Sequence, residues 1–129
     1  MQIKQIQLQP RTENEEPLAL LEEQINSALK ELFAQDVQLG ICRHTENHMA
    51  ETNYSAMIIY STKRKNRITQ IKLFDNLDTT VYGARKGFTE RVNEYLKDKQ
   101  EDIKDIVYIN IPVGHGWINE IIIVKHREK

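Results

Sequence analysis

The sequence predicts an α+β protein in which a βαββ unit occurs in tandem, giving a six-stranded, mainly antiparallel sheet with two helices. Two observations lead to this prediction. The pattern I-x-Q-I-x-L occurs at residues 3–8 and again at 68–73. Each copy is followed by a stretch of helical periodicity and then by two β-rich segments. We therefore predict a single domain over residues 1–129, made of repeat one (1–64) and repeat two (65–129).

Pairs of similar residues extend the predicted duplication beyond this pattern. They occur at offsets of 65, 67 and 64 residues, and pair Ile6 with Ile71, Asn26 with Asn93, and Ile58 with Ile122. Short loop insertions would absorb the differences between these offsets. On this alignment the matched isoleucines all face the core, because a one-residue slip would invert the faces of a strand.

The predicted strands are rich in β-branched residues and are separated by turn-forming segments. They cover residues 2–9, 37–44, 53–62, 67–74, 105–112 and 117–126. The first helix is predicted over residues 15–34, where Leu18, Leu21, Ile25, Leu29 and Leu32 recur at helical spacing. Residues 121–124 are apolar without alternation, which indicates a strand covered on both faces.

The second predicted helix has an unusual beginning, T79-T-V-Y-G-A-R-K-G-F88. Its apolar stripe runs from Val81 to Tyr95, with Asp78 or Thr79 as the cap. Gly83 and Gly87, if inside the helix, cost about 1 kcal/mol each relative to alanine. Close packing explains them, and so does an anion site, because helix-start N–H groups and basic side chains favour phosphate.

Composition limits the class of protein. The hydrophobic fraction of 40% and charged fraction of 29% indicate a folded globular chain. No apolar run is long enough to span a bilayer, so we expect a cytoplasmic protein without membrane contact. Cys42 is the sole cysteine and lies in an apolar alternation, which predicts a buried thiol in a reducing compartment. No catalytic motif is present, so we expect neither an enzyme nor a cofactor.

Charge is unevenly distributed, although the net charge is only −1. Residues 61–97 carry nine cations against four carboxylates, which favours a compact anionic ligand over duplex nucleic acid. Two differently charged solvated faces remain the alternative. His44, Glu46, His48 and Glu51 are interpreted as solvated hairpin residues and not as a metal site, because hairpin spacing does not bring them together.

Candidate ligand-binding residues follow from the same segment and from the last predicted hairpin. Arginines can hold phosphate by bidentate hydrogen bonds, and aromatic side chains can stack on a base. A solvated linker and plain packing are the alternatives for the basic and aromatic residues. The candidates are Arg64, Arg67, Arg85, Phe88, Arg91, His115 and Trp117.

The string Y54-S-A-M-I-I-Y60 after an amphipathic helix resembles small sporulation-associated proteins of spore-forming bacteria. The duplicated βαββ unit also resembles the first family of Thoeris anti-defence proteins. These phage proteins assemble into oligomers and sequester cyclic nucleotide immune signals without degrading them. The resemblance implies that Phe88 stacks on a base and that Arg64 or Arg67 binds phosphate. The last hairpin, where it implies another cation, has His115.

The sequence therefore leads to two functional expectations. The first is a non-enzymatic, homo-oligomeric binding protein that sequesters a nucleotide-derived signal, such as a cyclised ADP-ribose or a small cyclic oligonucleotide. It would act in the host cell cytoplasm and inhibit anti-phage defence. The alternative is a structural or regulatory assembly protein of a spore-forming bacterium or its phage, with no small-molecule ligand. A hydrolase acting on such nucleotides is a third possibility. We expect oligomers because residues 121–124, Gly83 and Gly87 imply more covered surface than a monomer supplies.

Overall fold

A computed structural model shows six antiparallel strands in one sheet together with two helices, which confirms the predicted α+β class. It describes residues 1–8, 17–46, 49–76, 87–114 and 117–128. A short 3-10 turn, Gln100–Asp102, precedes the fifth strand. The elements in chain order are β1 (Gln2–Gln7), α1 (Pro17–Leu29), β2 (Phe33–Glu46), β3 (Met49–Ser61), β4 (Ile68–Asp75), α2 (Phe88–Leu96), β5 (Ile103–Gly114) and β6 (Trp117–Arg127).

Three local predictions differ from the structure. Helix α1 ends at Leu29 and β2 already begins at Phe33, because Ala34 and Val37 are fully buried as strand residues. Gly87 lies immediately before α2 in an extended conformation, so its predicted place inside the helix is wrong. The remainder of the predicted helix start lies outside the described residues. Cys42 is exposed and not buried, because it follows the core-facing Ile41 and so points to the opposite face of the sheet.

The strand order is β1-β3-β2-β4-β6-β5, so each repeat contributes one three-stranded half. Within the described residues, the halves are joined through the pair Ala34 and Ile68. Beyond that pair, β4 leaves β2 and lies along α1. The outer strands β1 and β5 have no strand partner on their outer sides in the described part of the chain.

The two helices lie on opposite faces of the sheet. Buried residues of α1 pack with Ile71 of β4 and with Ile121 and Ile123 of β6, in the larger hydrophobic cluster. Val92 of α2 packs instead in a smaller cluster with Val124 of β6. Because neighbouring strand residues point to opposite faces, Ile123 and Val124 mark two separate sides. Residues 121–124 are therefore covered on both faces, as their sequence indicates.

Strand pairing shows which residues correspond in the two halves. Both second strands contain a register shift, before Asp36 in β2 and before Asp105 in β5. Each of these carboxylates accepts the N–H of the following residue at 2.9 Å. Ahead of these shifts, Ala34 of β2 pairs with Tyr60 of β3, and Ile103 of β5 pairs with His126 of β6. Asp36 therefore corresponds to Asp105, and Tyr60 corresponds to His126.

The first strands follow from the same pairing. Tyr60 pairs with Gln2, and His126 pairs with Gln70, so Gln2 corresponds to Gln70 and Ile3 to Ile71. At the strand ends, Leu8 N–H bonds to Tyr54 O at 3.0 Å and Asn76 N–H bonds to Glu120 O at 3.1 Å, which agrees with this register.

The correspondence differs from the alignment of the sequence patterns. That alignment pairs Ile6 with Ile71, three residues away from the structural correspondence, and an odd shift exchanges the two faces of a strand. It also pairs Ile58 with Ile122, whereas the structural counterpart of Ile58 is Val124, and both of these are fully buried. Ile122 packs against the smaller cluster and Ile58 belongs to the larger one.

Candidate functional site

Two arginines converge on one carboxylate where the repeats join. Arg64 and Arg67 lie between β3 and β4, and Glu128 directly follows β6. Arg64 Nη2 lies 2.8 Å from Glu128 Oε1, and Arg64 Nε lies 3.2 Å from both carboxylate oxygens. Arg67 donates from Nε to Oε2 at 3.2 Å and from Nη2 to Oε1 at 3.3 Å. We call these three residues the arginine–carboxylate cluster.

The local backbone builds the cluster. Arg67 N–H bonds to Arg64 O at 3.2 Å and so closes a turn. Asn66 within that turn has φ 60, a left-handed conformation that asparagine tolerates better than most residues. Glu128 N–H bonds to Arg67 O at 3.0 Å, which brings its carboxylate to the turn. The side chain of Lys104 crosses to Asn66 O at 2.9 Å and holds the turn against β5.

The electrostatics of the cluster are strong for a surface site. Hydrogen bonds from Arg64, with a further contribution from Arg67, lower the pKa of Glu128 to about 2. The same contact raises the pKa of Arg64. The Arg64 side chain is 67% exposed, so an incoming anion can reach its guanidinium group, whereas the Arg67 side chain is 18% exposed. The guanidinium groups already present the geometry that carboxylates and phosphates share.

An aromatic ring that the sequence analysis did not single out adjoins the cluster. The Arg67 guanidinium lies 5.3 Å from the centre of the Phe33 ring, within the range of a cation–π contact. Phe33 is the first residue of β2 and is partly buried. It lies more than 30 positions before Arg67 in the chain, and no local pattern connects the two residues. Among the described strand pairs, that of Ala34 with Ile68 brings the two residues together.

Phe88 and Arg91 lie at the other end of β4. Phe88 opens α2 and packs against the smaller cluster. Arg91 donates from Nη2 to the carbonyl oxygen of Asp75, the last residue of β4, at 2.6 Å. Since Arg67 directly precedes β4, the strand separates the two arginines by about 27 Å, eight residues at about 3.4 Å rise. One chain therefore does not combine Arg67 with Phe88 in one pocket.

The remaining candidates are only partly described. Trp117 begins β6, which runs antiparallel to β4, so its backbone lies towards the Arg91 end. Arg85 and His115 lie outside the described residues. A cavity of about 180 Å³ at the Arg91 end is bordered by Glu22, Lys72 and Asp75. Over the described ranges no group of His, Cys, Asp or Glu side chains could hold a metal ion.

A partly buried tyrosine and a buried histidine form a pair on the α2 face of the sheet. Tyr95 Oη and His126 Nε2 are 2.7 Å apart, and His126 is 7% exposed. Burial lowers the pKa of His126 and raises the pKa of Tyr95. The Tyr95 ring also packs edge-on against Phe74, with ring centres 5.3 Å apart. These contacts connect α2 to the sheet.

A search of protein-family models, of curated proteins and of solved structures found no match to this chain. Neither described helix has the length and apolar composition needed to cross a bilayer. Fold and site together define a small α+β protein with two βαββ halves, in which two arginines at the junction hold a carboxylate of the same chain.

Proposed function

We propose that this protein is a non-enzymatic binding protein that sequesters a compact anionic ligand. The ligand class is a nucleotide-derived signal, such as a cyclised ADP-ribose or a small cyclic oligonucleotide, whose capture would inhibit bacterial anti-phage defence. The observation that supports this is the convergence of Arg64 and Arg67 on the carboxylate of Glu128. Phosphate oxygens accept the same paired guanidinium hydrogen bonds as a carboxylate.

The surroundings of the cluster suit a nucleotide better than a simple ion. Lys63 and Lys65 are exposed on the same segment, so a second phosphate would also meet cations. The Arg67 guanidinium lies over the Phe33 ring, so a base would stack on the opposite face of that ring. We therefore assign the stacking role to Phe33 in place of Phe88, which is packed against the smaller cluster.

The alternative is an assembly protein without a small-molecule ligand. The exposure of large apolar side chains favours this alternative, among them Ile3 of β1 and Ile106 and Tyr108 of β5. Ile106 and Tyr108 lie two positions apart and therefore on one face of β5, and neighbouring exposed apolar side chains commonly mark an interaction site. The two proposals differ in what the arginine–carboxylate cluster does: it binds a ligand in the first and only ties the repeat junction together in the second.

Calorimetry with cyclic ADP-ribose isomers and cyclic di- and trinucleotides tests the proposal. We expect Arg64→Ala and Arg67→Ala to weaken binding roughly ten- to hundredfold, the range for hydrogen bonds to charged groups. Arg43→Ala is the matched control, because Arg43 is an exposed arginine on β2 that bonds to Thr52 at 3.5 Å. Circular dichroism checks that each variant is folded.

Two outcomes would contradict the proposal. Absence of binding heat with every nucleotide, or equal affinity in all three arginine variants, would support the assembly protein. Ligand recovered chemically altered after heat denaturation of the complex would indicate a hydrolase. Ligand recovered intact is the result expected of a binding protein that only sequesters.

A further inference from the structure

An open groove of about 410 Å³ lies between α2 and β5. Its walls are mostly apolar, and its polar side chains come from the last turn of α2 and from the residue that caps this helix. The residues that border it are Asn93, Leu96, Lys97, Ile103 and Ile106. In the first half of the chain, the corresponding groove lies between α1 and β2.

The groove of the first half is filled by the first strand of the second half. There β4 lies along α1 and pairs with β2 at Ala34. Leu29 is 1% exposed beneath it, and Ala34 and Val37 are fully buried. In the second half, Ile106 stands where Val37 stands in the first, and it is 45% exposed. Both halves thus form a groove of the same kind, but among the described residues a strand fills only the one between α1 and β2.

Polar contacts show the same difference. Asn26 of α1 donates from Nδ2 to Ile71 O at 3.0 Å and accepts from Ile71 N–H through Oδ1 at 2.7 Å. These bonds replace a strand partner at this edge of β4. Asn93 is the counterpart on α2 and is exposed. Its side chain makes no hydrogen bond to any residue of the described ranges.

The strand that corresponds to β4 is β1, which forms one edge of the sheet. Ile3 corresponds to Ile71, and it is 61% exposed. Lys4 and Ile6 border a groove beside α1, so Ile3 points to the opposite face of the strand. Ile71 likewise points away from the helix of its own repeat, α2, and into the core beneath α1. Ile3 therefore points in the direction that a strand bound in the groove between α2 and β5 would need in order to bury this side chain.

We propose that the groove between α2 and β5 receives β1 of a second copy of this chain. In that contact Asn93 bonds to the backbone of the neighbour's Ile3, and the Ile3 side chain covers Leu96 and Ile106. This contact between two chains has the same form as the contact that β4 makes with α1 and β2 within one chain. It is heterologous, so each added copy leaves one β1 and one groove free unless a ring closes.

Two single substitutions that damage opposite halves of the contact test this arrangement. Ile3→Asp places a charge on β1, and Ile106→Asp places one in the groove. Both side chains are exposed in the single chain, so folding is retained. Ile118→Asp is the matched control, because Ile118 is 50% exposed but does not border the groove. Light scattering measures the mass of each protein from micromolar to high micromolar concentration.

We expect the wild type and Ile118→Asp to exceed 15.2 kDa as concentration rises, and each groove or strand variant to stay at that mass. An equimolar mixture of Ile3→Asp and Ile106→Asp should form a dimer of twice 15.2 kDa and nothing larger, because one intact strand meets one intact groove. A monomeric wild type, an Ile3→Asp protein that still associates, or a mixture that stays monomeric would each overturn the proposal.

Discussion

Asn26 of α1 bonds to both backbone polar groups of Ile71 in β4, at 3.0 Å through Nδ2 and at 2.7 Å through Oδ1. Glu22 of α1 accepts the backbone N–H of Leu73, which lies two residues further along β4, at 2.9 Å. Side chains of α1 thereby bond to the backbone groups of β4 that have no partner on β2 beyond the pair Ala34 and Ile68. Unsatisfied backbone groups at this buried position would be costly, so these two side chains allow the halves of the sheet to separate and enclose α1.

The first prediction concerns this helix-to-edge contact. Asn26→Ala should lower the free energy of unfolding by about 1–3 kcal/mol, because it leaves the N–H and C=O of fully buried Ile71 without partners. Urea denaturation measures the change. Asn93→Ala is the control at the corresponding position of α2 and should change stability by about 0.5 kcal/mol or less at dilute concentration. Equal effects of both substitutions would contradict the role of Asn26.

A buried lysine leads to the second prediction. Lys125 is 4% exposed, and its Nζ lies 2.7 Å from Asp36 Oδ1 but 3.9 Å from Asp105 Oδ2. Although the two aspartates correspond in the repeats, Asp36→Asn should therefore destabilise the fold by about 1–3 kcal/mol and Asp105→Asn by less. Urea denaturation of both variants at neutral pH compares them. A larger effect of Asp105→Asn would contradict this prediction.

Acidity provides a second readout of the same ion pair. Burial alone would raise the pKa of Asp36, but hydrogen bonds from Lys125 and Gln38 outweigh it and lower the pKa. Since the folded pKa lies below the unfolded one, the stabilisation is present above about pH 3.8 and is lost as the pH falls through the folded pKa. The stability difference between wild type and Asp36→Asn should shrink over this acidic range.

His126 yields the third prediction, with a different pH range. Burial lowers the pKa of His126 below its ordinary value of 6.5. The unfolded chain then binds a proton before the folded chain does, so stability should fall as the pH falls through 6.5. Urea denaturation at pH 7.5 and pH 5.5 should show a smaller change for His126→Gln than for wild type. The other histidines are common to both proteins, so an identical change in both would exclude His126 as the cause.

The fourth prediction rests on the proposed ligand site. Glu128 occupies the guanidinium groups of Arg64 and Arg67, so a bound anion must displace it. Glu128→Gln removes the competing charge and should strengthen nucleotide binding, by about fivefold at most, as for an exposed ion pair. Calorimetry of the variant and the wild type at equal salt measures this. Weaker binding by Glu128→Gln would show that the carboxylate contacts the ligand or orders the arginines for it.

Local pattern was sufficient to predict the order of the elements. The periodicity of Leu18, Leu21, Ile25 and Leu29 predicted α1, and all four are buried. Alternating β-branched residues located the strands to within a few positions. The cations of the junction were also recognisable, because Arg64 and Arg67 stand in a conspicuous basic run. These features depend on neighbours in the chain, which is the information that a sequence displays directly.

The strand register and the partners of the two arginines depend on contacts between distant segments of the chain. The repeat correspondence of Ile3 with Ile71, in place of Ile6, depends on hydrogen-bonded strand pairs and on register shifts at Asp36 and Asp105, which side-chain similarity does not encode. Glu128 and Phe33 reach the arginines from distant segments because the strand ladders bring them there. Local periodicity in the amino-acid sequence specifies which segments become helix and which become strand. Long-range packing specifies which strand fills which groove. Ala34 and Val37 of β2 are fully buried because β4 lies along α1 and covers them.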